Sequence, residues 1–354
     1  MGTTTGPAAR AAKGQKTPAP AVPGAAVPGA AVPGAAVPGA ATPPAGGPAT
    51  AARSGRGRGR ASLGTQNRAG WLFSTPFLAL FAVFMAFPIV ATLAMSFTDF
   101  GLRNVTRPFE ANFVGFENYA KLFGDEKFLK SLFNTAYFVV IGVPLTLLLG
   151  LAVAVLLNNG IDRARTFFRV GFYAPVVTTI VAVAVVWRFV LDPSDGLIAG
   201  LLSEVGLTSP DFLGSEKLAM PSMIVMAVWR NTGTVMVLII AGLQAIPTEV
   251  REAARLDGAG GWREFRHITV PLLRPTLLYA TVITTIGYLN VFEEPFVMTQ
   301  GGPSDSTLTV SLHMYREGFN FFHMGYASAM AYVLFVVIMA VTVLQLRLLK
   351  DNTE

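Results

Sequence analysis

Six apolar stretches dominate this chain, and each is long enough to cross about 30 Å of hydrocarbon at a helical rise of about 1.5 Å per residue. They run over Trp71–Phe97, Ala136–Leu157, Phe168–Val190, Ser222–Ala245, Leu272–Phe292 and Tyr326–Leu346. Lipid offers no hydrogen bonds, so a backbone that spans it must satisfy itself; stretches of this length do so as helices. The expected fold class is therefore all-α, a polytopic membrane protein with six transmembrane helices. Composition agrees: 52% of residues are hydrophobic and 14% are charged, where a soluble domain carries roughly 25% charged residues.

Orientation follows from lysine and arginine. Residues 1–70 hold eight of them, 158–169 three, 247–270 four and the carboxyl end two. The alternate segments hold five (98–133), one (191–221) and one (294–323). The positive-inside rule then puts both termini in the cytoplasm of a multi-pass cell-membrane protein. The 98–133 segment carries five bases against five acids, and it is too long and balanced to reverse that reading.

Residues 1–70 contain no acid, and the pentad VPGAA begins at Val22, Val27, Val32 and Val37. Pro-Gly favours turns, and alanine spacers supply too little apolar bulk for a core. A disordered, basic cytoplasmic tail is expected over 1–70, ahead of a membrane domain over 71–350. The run from Arg53 to Arg60 can touch anionic lipid or RNA; a solvated linker is the plainer reading, and no nucleic-acid partner is expected. There is no cysteine, which excludes disulfides and thiolate metal sites. His267, His313 and His323 form no ligand spacing. No G-x-x-x-x-G-K-[ST] loop is present, so the chain is not expected to bind ATP in the usual way. No cofactor or metal is expected in it.

Residues 252–271 read EAARLDGAGGWREFRHITVP between the fourth and fifth apolar stretches. Pro247-Thr248 supplies a helix start, with Thr248 as N-cap and Glu249 and Glu252 in the first turns. Gly258, Gly260 and Gly261 break that helix. Trp262 and Phe265 suit a membrane interface. Glu252-Ala253-Ala254, three residues, Gly258, nine residues, Ile268 and Pro271 together resemble the EAA loop of ABC importer permeases; only Val270, where leucine is usual, departs from the pattern. Further similarities to sugar permeases are Val186-Trp187-Arg188 with Asp192-Pro193, Trp229-Arg230-Asn231-Thr232-Gly233, Ala241 to Pro247, Thr299-Gln300-Gly301-Gly302-Pro303 and Gly325-Tyr326-Ala327-Ser328-Ala329. The resemblance covers about residues 70–350 and points to the carbohydrate-uptake branch, on the side of the first subunit of maltose and glycerol-3-phosphate permeases.

That resemblance implies a permease subunit of an ATP-driven, binding-protein-dependent sugar importer working by alternating access. It implies a second permease subunit, an ATPase dimer and an extracellular solute-binding protein as partners. The chain itself would be a transport subunit rather than an enzyme, and Glu252, Ala253, Ala254, Asp257 and Gly258 would form a cytoplasmic coupling helix that docks in the ATPase. A secondary transporter or channel is the alternative; it would need coupling-ion residues at the midplane.

Arg230 sits about nine residues into its stretch, roughly 13 Å along a helix. A guanidinium at that depth faces a wet pathway or pairs structurally with a carboxylate or helix-end carbonyls. Asn231, Thr284, Tyr288 and Asn290 are neutral hydrogen-bonders that suit sugar hydroxyls or serve as contacts between helices. The sugar-contacting positions of the maltose-type relative fall at Val176, Ala227, Arg230, Asn231, Thr284, Gly287, Tyr288 and Val291. Several are apolar here, so maltose specificity is not implied. Glu293 and Glu294 either line the entrance or are solvated rim charges.

Overall fold

A computed structural model describes residues 63–159 and 164–350, with side chains from 70 to 158 and from 164 to 348. The compact unit begins at Gly64. The expectation of a disordered tail over 1–70 falls mostly outside the described residues. Its end differs from expectation, because helix already runs from Leu63. A helix nucleated by an apolar stretch adds one hydrogen bond per residue and grows outward into flanking sequence.

Helix α1 (Leu63–Phe81) passes through a π-turn at Ala82–Ala86 into α2 (Phe87–Ser96). Pro88 explains the wide turn: it has no N–H to donate and its ring crowds the preceding carbonyls. After α3 (Glu117–Gly124) comes the long α4 (Glu126–Asn159). The third apolar stretch is two helices, α5 (Arg165–Val177) and α6 (Ile180–Val190), bent by 100°. Pro175 weakens the end of α5, and the Thr178 hydroxyl donates to the Ala174 carbonyl, so the ladder ends there. Short α7 (Leu197–Glu204) leads to α8 (Ala219–Gln244), then α9 (Thr248–Leu256), α10 (Gly261–Glu264) and, after a second π-turn, α11 (Val270–Leu289). The chain closes with α12 (Glu293–Met298), α13 (Val310–Tyr315) and α14 (Met324–Lys350).

Five continuous stretches among the described residues are long and apolar enough to cross a membrane, and the bent α5–α6 pair brings the number to six if it counts as one. Among those residues the only β pairing is an isolated bridge between Thr98 and Phe113.

Helix α8 is the centre of the packing. Met223, Met226, Ala227, Met236 and Ile239 are fully buried on it, and it packs chiefly on α4 and also on α5 and α11. Gly233 permits the closest approach: a Cβ there would sit 2.2 Å from the Phe172 carbonyl oxygen of α5. Small residues at such crossings let backbones meet where apolar burial gives no drive. On the first span the side chains point outward instead; Trp71, Phe73, Phe77 and Phe84 are each more than two-thirds exposed. An apolar surface of that extent is untenable in water and natural in lipid.

Segments that connect the helices are stapled to the bundle by polar contacts. Lys130 and Asn134 of α4 donate to the Ser304, Asp305 and Leu308 carbonyls at 2.5–2.9 Å. After α6, Asp192 Oδ1 accepts the amides of Asp195 and Ser194 at 3.0 and 2.9 Å, which holds its carboxyl below the usual aspartate value.

Candidate functional site

The loop between α8 and α11 is two short helices joined at a glycine turn. Helix α9 starts after Pro247, whose φ of −57° and ψ of 136° give the chain a non-helical entry. Thr248 is therefore the first helical residue and not the N-cap expected of it; no side chain caps this end. At the other end Gly258 adopts φ +78°. Its N–H reaches the Arg255 carbonyl at 3.1 Å, and Ala259 N–H reaches Ala254 at 2.9 Å. This is a Schellman stop, which needs a left-handed residue where glycine alone carries no Cβ penalty. Gly260 and Gly261 differ from expectation: they open α10 as its N-cap and first residue.

Glu264, which the sequence reading did not single out, locks the two helices together. It is 6% exposed, and its two carboxylate oxygens accept from Arg251 Nε at 2.7 Å and Arg255 Nε at 3.1 Å. The two arginines stand one helical turn apart on α9, so one carboxylate can meet both. Nothing in the spacing signals this acid, because a turn separates it from its partners. Glu252, Ala253, Asp257 and Gly258 are exposed, as are Leu256 and Trp262. Ala254 is the exception: at 7% exposed it packs within its own chain, since it lies on the inward face of an amphipathic helix. Trp262 stacks near Phe265 with centroids 5.7 Å apart. A cleft of about 650 Å³ runs beneath the loop, between Asn158 of α4, Leu243 of α8 and Glu264.

Within the bundle, a second cleft of about 280 Å³ lies between α8 and α11. Arg230, Asn231, Thr284, Tyr288 and Asn290 all line it, together with Gly287, Val291, Glu293 and Glu294. Helix spacing brings Thr284 and Tyr288 there, one turn apart on α11, and the chain leaving that helix adds Asn290 and Val291. Tyr288 is buried, with its hydroxyl 2.8 Å from Thr146 Oγ1 and 3.4 Å from Asn231 Nδ2. Asn231 also donates to the Ala227 carbonyl and Asn290 to Ile286, each at 2.9 Å. Thr146, on distant α4, could not have been found from sequence spacing. Val176 and Ala227 are not among the residues lining this cleft.

The sequence pattern of the binding-protein-dependent transport system inner membrane component family matches residues 126–352. The lactose transport system permease protein LacF of Rhizobium radiobacter is 34% identical over 282 residues, covering 78% of this chain and 92% of LacF. The diacetylchitobiose uptake system permease protein NgcF of Streptomyces coelicolor is 36% identical over 304 residues, covering 82% and 84%. A bacterial alginate ABC transporter, solved with an alginate pentasaccharide-bound periplasmic protein, shares the fold at a TM-score of 0.69 and 24% identity over 82% of this chain and 98% of that one. This chain belongs to the family of inner-membrane components of binding-protein-dependent transport systems.

Proposed function

We propose that the chain is one permease subunit of an ATP-driven importer that takes carbohydrate from an extracellular binding protein and passes it inward by alternating access. In this reading residues 71–350 form the membrane domain with six spans, the bent α5–α6 pair counting as one. Both termini and the α9–α10 loop face the cytoplasm. A second permease completes the pathway as a heterodimer, and a separate ATPase dimer supplies the energy; no cofactor or metal is assigned to this chain. The sugar-uptake names of LacF and NgcF support the substrate class.

The α9–α10 loop is the observation that carries the proposal. Glu252, Ala253, Asp257 and Gly258 stand exposed on a helix that a Schellman turn stops and a buried carboxylate braces. A short rigid helix of this kind can enter a groove of the ATPase and transmit its closure to α8 and α11. Asn231, Thr284, Tyr288, Asn290 and Arg230 share one cleft and are assigned to the substrate pathway, with Tyr288 chiefly setting its wall.

The test uses Ala253→Trp, because Ala253 is exposed where Ala254 is buried, and Gly258→Asp, which forces a side chain into a left-handed position. Both chains should insert and pair with the sister permease. Pull-down of the ATPase should weaken by roughly tenfold or more, as expected for losing a central docking contact, and ATP-driven sugar uptake should fall with it. Undiminished ATPase association in both variants would remove the coupling role.

A further inference from the structure

One side chain in the inner cleft has no counterpart in the reading above. Glu294 is 5% exposed although its neighbour Glu293 is open to solvent. Among the described residues no other side chain donates a hydrogen bond to the Glu294 carboxyl, which accepts its own backbone amide; Arg230, which lines the same cleft, acts on it through charge without an ion pair. Arg230 Nε is itself buried and has no hydrogen-bond partner. The other polar groups are better served: the Tyr288 hydroxyl meets Thr146, and the Asn231 and Asn290 amides donate to helix carbonyls. What remains is one strong acceptor met only by its own backbone amide and one buried donor, Arg230 Nε, with no partner, both on the wall of a single cleft.

Leaving such groups bare inside an apolar bundle is costly. Neighbouring sugar hydroxyls satisfy both at once. One O–H donates to the carboxylate while the lone pairs of the next accept from the guanidinium, and charge-assisted bonds of this kind are the strong ones. A sugar bearing a carboxylate fits poorly. It would bring a third carboxyl group beside Glu293 and Glu294, with Arg230 as the one cation lining the cleft, and crowding of acidic groups is an effective means of rejection. Glu294 lies outside the positions that the resemblance to maltose-type permeases marks as sugar-contacting.

We infer that Glu294 is a specificity-determining residue: with Arg230 it grips adjacent hydroxyls of an uncharged sugar and turns away sugars that carry a carboxylate. This rests on the importer reading, and it makes a claim about charge which that reading does not. The test is ATP-driven uptake by the full complex in liposomes with its binding protein, using tritiated lactose, diacetylchitobiose and digalacturonate. Wild type should take up a neutral sugar and not digalacturonate. Glu294→Gln, which replaces the carboxyl by a neutral amide, should cut neutral uptake about tenfold at normal complex yield, and Glu294→Asp, which keeps the carboxyl, should restore part of it. Three results overturn the inference alone: neutral uptake unchanged in Glu294→Gln, complex yield falling in step with uptake, or wild type importing digalacturonate as fast as the neutral sugars. A wild-type complex that imports none of the three in an ATP-dependent way overturns the importer reading, and the inference with it.

Discussion

Where α3 gives way to α4, the Asp125 carboxylate accepts a 2.6 Å hydrogen bond from the Tyr326 hydroxyl of α14 and the Lys127 amide at 2.9 Å. His313 Nε2 stands 3.6 Å away. Burial pushes this carboxyl up, but the Tyr326 hydroxyl, the amides of Lys127 and Phe128 and the charge of His313 outweigh it and hold it below the ordinary value of 3.8. A folded value below the unfolded one means the contact stabilises fully above pH 3.8 and fades as pH falls through the lowered value. Asp125→Asn should therefore cost about 1–2 kcal/mol at neutral pH. The deficit should shrink in acid, where the wild-type carboxyl is also protonated. Unfolding midpoints in detergent at neutral pH and below pH 3.8 measure this, and a gap that persists undiminished in acid would count against the account. The residues hardest to read from sequence share one character: Glu264 and Thr146 each act through partners on another element, so no local pattern marks them, and the contacts of Asp125 with Tyr326 and His313 are hidden in the same way. Ala254 belongs with them, since the sequence says that a position is small but not which face of α9 it occupies.

Among the elements, α8 tests how tightly the bundle is built. Gly233 faces backbone, with a Cβ falling 2.2 Å from the Phe172 carbonyl oxygen. Gly242 faces side chains, Thr276 and Leu273 of α11, at 2.6 and 2.9 Å. Side chains can turn aside and a carbonyl held in a helix cannot, so Gly233→Ala should be the more damaging, by about 1–3 kcal/mol of overpacking strain. Gly242→Ala should cost less. Comparing the two thermal midpoints in the same detergent checks the order, and equal or reversed losses would show that α5 yields easily. The long apolar runs made these helices legible, because lipid leaves a spanning stretch of this length little choice but helix. Their ends were not legible. Helix α4 begins at Glu126, ahead of the apolar run that starts at Ala136, because its first turns carry Lys127 and Lys130 on an amphipathic face outside the run. The break between α5 and α6 was not legible either, because the apolar run continues through it without interruption.

For the molecule as a whole, orientation is the claim on which most of the functional reading turns. A coupling loop works only if α9 and α10 face the ATPase, and the cleft lined by Glu294 works only if sugar enters it from the other side. The argument for that orientation is the bias of lysine and arginine, and one segment resists it. Residues 98–133 hold five bases, yet they are assigned to the outside. Acids contribute little to topology and the segment is short enough for its bases to count, so the assignment rests on the larger bias elsewhere: eight, three, four and two bases on one side against five, one and one on the other. In the structure the segment is folded, with Asn112 donating to Asp99 through both its amide groups and holding that carboxyl below the usual range. The chain contains no cysteine, so a single introduced thiol reports its own side without background. We expect Thr208→Cys, on the exposed segment before α8, and Asn104→Cys, within residues 98–133, to react with a membrane-impermeant maleimide in intact cells. Asp257→Cys, at the exposed end of α9, should react only in inverted vesicles. Asp257→Cys labelling from outside would reverse the orientation and take the coupling role with it. Asn104→Cys labelling only from inside would show that the five bases had set the topology of the first span.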